Sequence, residues 1–160
     1  MTQHRLSYVD LDHGLFLGAC PRSPEDVLHL ANDLGVATVL NLQTDEDLRV
    51  LGIRWSALWT AYTRAGIEVI RVPIPDLDDR LLRAGLTEAV SGVLKGLNKD
   101  RPVYVHCTAG VNRSPTVAIA VLASHFGLGF HKALSWVQQR RSVVPAVGAI
   151  SDWLEKETLN

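Results

Sequence analysis

Strands that alternate with helices along one polypeptide predict a single α/β domain, with a central, mostly parallel sheet of four to five strands flanked by helices. Three observations carry this reading. Short runs rich in Val, Ile and Leu recur at 15–17, 36–42, 68–72 and 103–106, and the near-continuous apolar run at 36–42 is as expected for a strand buried on both faces. Segments with apolar residues at helical spacing stand between and after them. The 160 residues are 47% apolar and 21% charged, enough for one core without a disulfide or metal staple. The domain is expected to span 1–160 with its core at about 15–157, and no repeat or low-complexity tract interrupts it.

Leu15-Phe16-Leu17 reads as a short strand. Ser23-Pro24-Glu25-Asp26 then carries a helix start, with Ser as N-cap, Pro at the first helical position and acids in the first turn. Val27, Leu28, Leu30, Ala31 and Leu34 form its apolar face and Gly35 ends it. Val36–Leu42 is a buried strand, followed by a polar, acidic segment (Asp45, Glu46, Asp47). A helix is predicted from about Ser56 to Arg64, stopped by Gly66, and a strand at Glu68–Val72, closed by Pro73-Ile74-Pro75. Leu82, Leu86, Ala89, Val90, Val93, Leu94 and Leu97 repeat at helical spacing. Val103–His106 is the last strand, followed by a glycine-containing loop and an apolar helix to about His125. Helices at about His131–Arg140 and Ile150–Glu157 complete the chain. In open sheets of this kind ligands sit at the carboxyl ends of the strands, which directs attention to the loops after Leu42, Val72 and His106.

The loop after His106 reads Cys107-Thr108-Ala109-Gly110-Val111-Asn112-Arg113-Ser114-Pro115. A loop of this length between strand and helix can curl so that successive amides point inward, making an anion nest. The helix that follows aims its N-terminal dipole at the same point. Positive surroundings favour the thiolate, the nucleophilic form, of a cysteine at the base of that nest. Thr108, Ala109, Gly110, Val111, Asn112 and Arg113 are thus the candidate phosphate-binding residues, with Arg113 offering a planar fork to two phosphoryl oxygens. Ser114 is placed to donate to the sulfur when it leaves. A left-handed backbone is expected at Asn112, which tolerates it better than other non-Gly residues. His106 follows strand alternation onto the face opposite Cys107, so it is expected to shape the loop rather than to act as a base.

A departing alkoxide or phenolate needs a proton, and a carboxylic acid held over the nest supplies it. The loop after Val72 offers Asp76, Asp78 and Asp79, and at least one of these suits the N-cap of the next helix. Asp76, directly after the proline pair that stiffens the approach, is the first choice, ahead of Asp78 and Asp79.

With these residues in view, the chain resembles the cysteine-based dual-specificity phosphatases, and within them the glucan phosphatases, the plant starch-excess type and laforin. The resemblance runs over roughly residues 15 to 157. It rests on His106–Ser114, on Leu40-Asn41-Leu42-Gln43-Thr44-Asp45-Glu46-Asp47 with Gly52-Ile53, and on Gly18, Pro21 and Pro24-Glu25-Asp26. Pro75-Asp76 and Arg140-Arg141-Ser142 with Pro145 extend it. It implies a tyrosine-phosphatase-like fold and a two-step reaction. Cys107 attacks phosphorus, Arg113 and the loop amides hold the oxygens, Asp76 protonates the leaving group, and water then hydrolyses a phosphocysteine. His106, Ser114 and Asn41 are implied as supporting residues. The implied substrates are phosphorylated proteins or phosphorylated glucans, with phosphate- or sulfate-like oxyanions as ligands. Where the plant enzymes carry aromatic residues this chain has Val50, Leu51 and Leu77. Trp55, Trp59 and Tyr62, at helical spacing, read first as core and second as a different sugar-stacking surface.

No cofactor or metal is expected, since His4, His13, His29, His106, His125 and His131 show no ligand spacing. Sixteen Lys and Arg against seventeen Asp and Glu leave a net charge of -1, so neither nucleic acid nor a membrane is expected as a partner. The first residues lack an apolar run of signal-peptide length, and Cys20 and Cys107 are the two cysteines. Together these set the expectation of a reducing, cytoplasmic location, with Cys20 structural. Two other readings use the same residues, a catalytically weak phosphate-binding module and a rhodanese-like sulfurtransferase.

Overall fold

The computed structural model describes residues 5–160. The expectations that fall on residues 1–4, including His4, lie outside the described residues. Five strands, β1 (Tyr8–Asp10), β2 (Leu15–Gly18), β3 (Thr38–Asn41), β4 (Glu68–Arg71) and β5 (Val103–His106), form one sheet in the order β1-β2-β5-β3-β4. All pairs are parallel except β1 with β2. The helices are α1 (Pro24–Leu28), α2 (Asp45–Val50), α3 (Trp55–Ala65), α4 (Asp79–Leu97), α5 (Arg113–Ser124), α6 (Phe130–Gln138) and α7 (Val147–Thr158).

Strand alternation divides the apolar residues between two layers. Leu15, Leu17, Leu40, Val103 and Val105 join the larger core with α4 to α7, whereas Phe16, Val39 and Tyr104 pack with α1 and α3. Helix α5 is buried from Arg113 to Ala123, so the helix that follows the candidate loop is the central strut of the larger core.

Most predicted elements stand where the sequence places them, with three additions. β1 is an antiparallel edge strand that three residues of mixed polarity do not announce. α1 continues into a wide turn of π-helix at His29–Asp33. The acidic segment after β3 contains α2, nucleated by a reciprocal cap in which Thr44 accepts from the Asp47 amide and Asp47 accepts from the Thr44 amide.

The Val72–Pro75 segment positions the acid loop by an indirect route. β4 is an edge strand and β3 stands between it and β5. The chain after Arg71 crosses the end of β3, with Val72 N donating to Asn41 O and Ile74 N to Leu42 O, each at 3.0 Å. That crossing carries Asp76 to the carboxyl end of β5.

Candidate active site

β5 and α5 fix the two ends of the 107–113 loop. Cys107 is buried, with its sulfur 3.2 Å from Ser114 Oγ. His106 Nδ1 donates to Cys107 O at 2.8 Å, and burial lowers its imidazole to about 4, so the ring is neutral near pH 7. Neutral His106 with a proton on Nδ1 is a loop-shaping group, not a base for Cys107. Among the described residues, none of the amides of Thr108 to Asn112 donates to another group of the chain. They are the free donors an anion nest requires.

The left-handed residue of this loop is Gly110, at φ 70, and not Asn112, at φ -119, which corrects the sequence expectation. Asn112 enters α5 as its N-cap, and its side-chain amide donates to Val144 O at 2.8 Å, which fixes it in a right-handed conformation. Gly110 is needed for space as well, because a Cβ there would stand 2.5 Å from the carbonyl carbon of Gly18.

Arg113 is 1% exposed and its guanidinium has two different edges. On the outer edge, Nη1 donates to Asp47 Oδ2 at 2.7 Å and to Ile74 O at 2.8 Å. On the inner edge, Nη2 reaches Thr108 Oγ1 at 3.4 Å, while the buried Nε makes no hydrogen bond. Asp76 Oδ1 lies 3.4 Å from that Nε, close enough for charge attraction but not aligned for a hydrogen bond. The Nε of the inner edge is thus left without a hydrogen bond, and the outer edge holds the side chain in place.

Asp47, one of three consecutive acidic residues in the sequence, is the carboxylate that pairs with Arg113. Burial works against its ionisation, but hydrogen bonds from Arg113 and from the Thr44 amide outweigh it and hold the carboxyl below its usual range. Asn41 Oδ1 accepts from Gln43 N at 2.8 Å, and Gln43 Nε2 donates to Thr108 Oγ1 at 3.1 Å, so Asn41 supports the loop through Gln43. The three candidate acids separate by position. Asp78 caps α4 by accepting from Leu81 N, Asp79 is the first residue of that helix, and Asp76 faces Arg113.

Cys20 is buried and free, and its amide donates to Thr108 O at 2.9 Å. Burial pushes its thiol up, against the pull of Arg22. Of the three aromatic residues of α3, the Trp55 and Trp59 rings are neighbours, 6.3 Å apart. Tyr62 is core, Trp55 is half-buried beneath the Arg71 guanidinium at 5.2 Å, and Trp59 alone is well exposed, at 52%. Among the described residues no three His, Cys, Asp or Glu side chains converge on a metal-sized point.

A buried thiol, a loop of free amides, a buried arginine and a carboxylate beside it thus meet at the carboxyl end of a mostly parallel α/β sheet. The family model "Dual specificity phosphatase, catalytic domain" matches residues 15–158, and the chain belongs to that family. It is 35% identical over 147 residues to phosphoglucan phosphatase DSP4, amyloplastic, of Castanea sativa, covering 91% of this chain and 39% of that protein. It is 29% identical over 140 residues to laforin of Mus musculus, covering 81% of this chain and 42% of laforin. The chain thus spans about two fifths of either relative. A crystal structure of PTPMT1 in complex with PI(5)P shares the fold at a TM-score of 0.81 and 24% identity, with 95% of this chain and 97% of that one covered.

Proposed function

We propose that this chain is a metal-independent phosphomonoester hydrolase that works through a phosphocysteine at Cys107. The observation that carries the reading is one strand–loop–helix unit that holds the buried Cys107 thiol, the free amides of 108–112 and the unbonded Nε of Arg113, with Asp76 Oδ1 3.4 Å from that Nε. In the first step the thiolate attacks phosphorus, the P–O ester bond breaks, and protonated Asp76 gives its proton to the leaving oxygen. Arg113 Nε and Nη2 and the loop amides hold the equatorial oxygens as charge redistributes. In the second step Asp76 takes a proton from water, the water oxygen attacks phosphorus, and the S–P bond breaks. The Ser114 hydroxyl, 3.2 Å from the sulfur, stabilises the departing thiolate, and inorganic phosphate is released.

A phosphate-binding module without turnover would not need Asp76 over the fork, and a sulfurtransferase would need neither Asp76 nor Ser114. A reducing, cytoplasmic location belongs to the same proposal, because the reaction requires Cys107 as a free thiol.

For the substrate, phosphoproteins are the first reading, since the exposed apolar side chains of the nucleophile loop and the acid loop, Val111 and Leu77, are aliphatic. Phosphorylated glucan is the second reading, favoured by the identity to a phosphoglucan phosphatase. The test is phosphate release, with EDTA present, from a phosphotyrosine peptide and from phosphorylated amylopectin in parallel, with Cys107→Ser as the blank. Loss of turnover by at least about 10⁴-fold in Cys107→Ser, with tungstate still bound, is expected. Turnover by Cys107→Ser equal to the parent would falsify the mechanism.

A further inference from the structure

The amides of the loop must point inward to bind phosphate, so something must hold the opposite ends of the same peptide units outward. In a trans peptide the carbonyl and the N–H point in opposite directions, so fixing one fixes the other. Arg141 performs this task on the outer side of the loop. Its Nη2 donates to Ala109 O at 3.0 Å and its Nε to Gly110 O at 2.9 Å. Those carbonyls belong to the peptide units that carry the Gly110 and Val111 amides. The remaining nitrogen, Nη1, donates to Ser7 Oγ at 3.0 Å.

The base of the clamp is itself fixed. Arg141 N donates to Val137 O at the end of α6, and the preceding Arg140 lies 3.6 Å over the Trp136 ring. Two further bonds join the same segment to the loop, Val144 N to Val111 O at 2.7 Å and Asn112 Nδ2 to Val144 O at 2.8 Å. The nucleophile loop is thus gripped by Arg141 and Val144, whose hydrogen bonds with it involve its backbone and the Asn112 side chain and not the sulfur.

We propose that Arg141 is a positioning residue for the reaction, holding the Gly110 and Val111 amides in their phosphate-binding orientation by clamping the two carbonyls behind them. The inference rests on the proposed phosphatase function. Two carbonyls taken by neighbouring nitrogens, Nε and Nη2, of one guanidinium call for its planar fork, which a lysine cannot reproduce although it keeps the charge and most of the aliphatic stem.

The test compares the parent with Arg141→Lys and Arg141→Gln, reading tungstate affinity by calorimetry, kcat and KM on p-nitrophenyl phosphate, and thermal melting. Arg141→Lys is expected to weaken tungstate about tenfold and to lower kcat about tenfold, with Arg141→Gln at least as impaired. Tungstate binding and kcat in Arg141→Lys within twofold of the parent would overturn the proposal, since charge alone would then suffice. So would a lowered melting temperature in both variants with parental affinity and kcat per folded molecule, the signature of a purely structural residue. Binding is read without turnover, so a parent that binds tungstate but hydrolyses no ester would overturn the proposed function while leaving Arg141 testable.

Discussion

In the proposed reaction the nucleophile loop and the acid loop serve one substrate, yet they are built in opposite ways. The first is held on every side, by β5 and α5 at its ends, Gln43 and Cys20 along its length, and Arg141 and Val144 behind it. Its arginine is 1% exposed, whereas Asp76 is 48% exposed and Leu77 87%. The acid loop is anchored through Ile74, with Asp76 out beyond the last backbone bond to the sheet. The difference follows the chemistry each loop must meet. Every substrate presents the same phosphoryl group, so that side can be buried and preorganised in advance. The leaving group varies, and Asp76, the residue proposed to protonate it, sits at the solvent edge.

Two substitutions on the two sides separate these roles. Asp76→Asn removes the proton donor without disturbing the cup, and is expected to lower kcat on a phosphoserine peptide by about 10²-fold. The loss on p-nitrophenyl phosphate, whose leaving group needs little protonation, should be markedly smaller. Equal losses on the two substrates would remove Asp76 from the acid role and return attention to Asp78 and Asp79. Asp47→Ala strikes the other side by leaving the buried Arg113 without its carboxylate and α2 without its reciprocal cap. Breaking a largely buried ion pair costs about 3 kcal/mol, readable as a shift in the urea midpoint. Activity should fall more than tenfold on both substrates alike, because Arg113 serves the phosphoryl group and not the leaving group.

The contrast also has a pH signature. The His106 imidazole sits at about 4 in the folded protein against an ordinary 6.5, because burial disfavours its charged form. The unfolded chain therefore binds the proton first, and stability is complete above 6.5 and declines as the pH falls from there towards 4. The loss is on the order of 3 kcal/mol over that window. Asp47, held below its usual range, adds a further loss at lower pH. Urea unfolding at about pH 7 and about pH 4.5 should show this drop, and His106→Asn should remove most of its pH dependence. An unchanged slope in that variant would place the acid sensitivity outside the nucleophile loop.

How far each loop was legible in the sequence follows from the same contrast. Cys107, Arg113 and Ser114 lie within one strand–loop–helix unit, so spacing alone brings them together, and the parallel sheet follows from the four apolar runs. The partners that hold the loop come from elsewhere. Asp47 joins Arg113 across 66 positions, and its nearest sequence signal, the Thr44-x-x-Asp47 cap, points to a helix start and not to an arginine. Arg141 reaches Gly110 across 31 positions from a turn whose only local signal is a pair of arginines. Asn112 misled for a physical reason. Residue preference allows the left-handed region at both Gly110 and Asn112, and only the tertiary bond to Val144 shows which one uses it.

The smallest expected effect lies at Leu77, where the acid loop takes φ 58, a left-handed conformation unusual for a leucine. Its amide donates to Asp76 Oδ1 at 3.1 Å, so this backbone conformation is tied to the carboxylate's orientation. The side chain is almost wholly exposed and contributes little burial. Leu77→Gly relieves about 1 kcal/mol of left-handed strain but enlarges the unfolded ensemble by a similar amount, so net stability should move by less than about 0.5 kcal/mol. Leu77→Val puts a β-branched residue where it fits worst, and should cost about 1 kcal/mol or move the backbone out of the left-handed region. Movement of the backbone displaces Asp76, so in that case kcat on an alkyl phosphate should fall several-fold in Leu77→Val while tungstate affinity stays parental. Weakened tungstate binding in that variant would mean that the two loops are mechanically coupled and that the preorganised side depends on the exposed one.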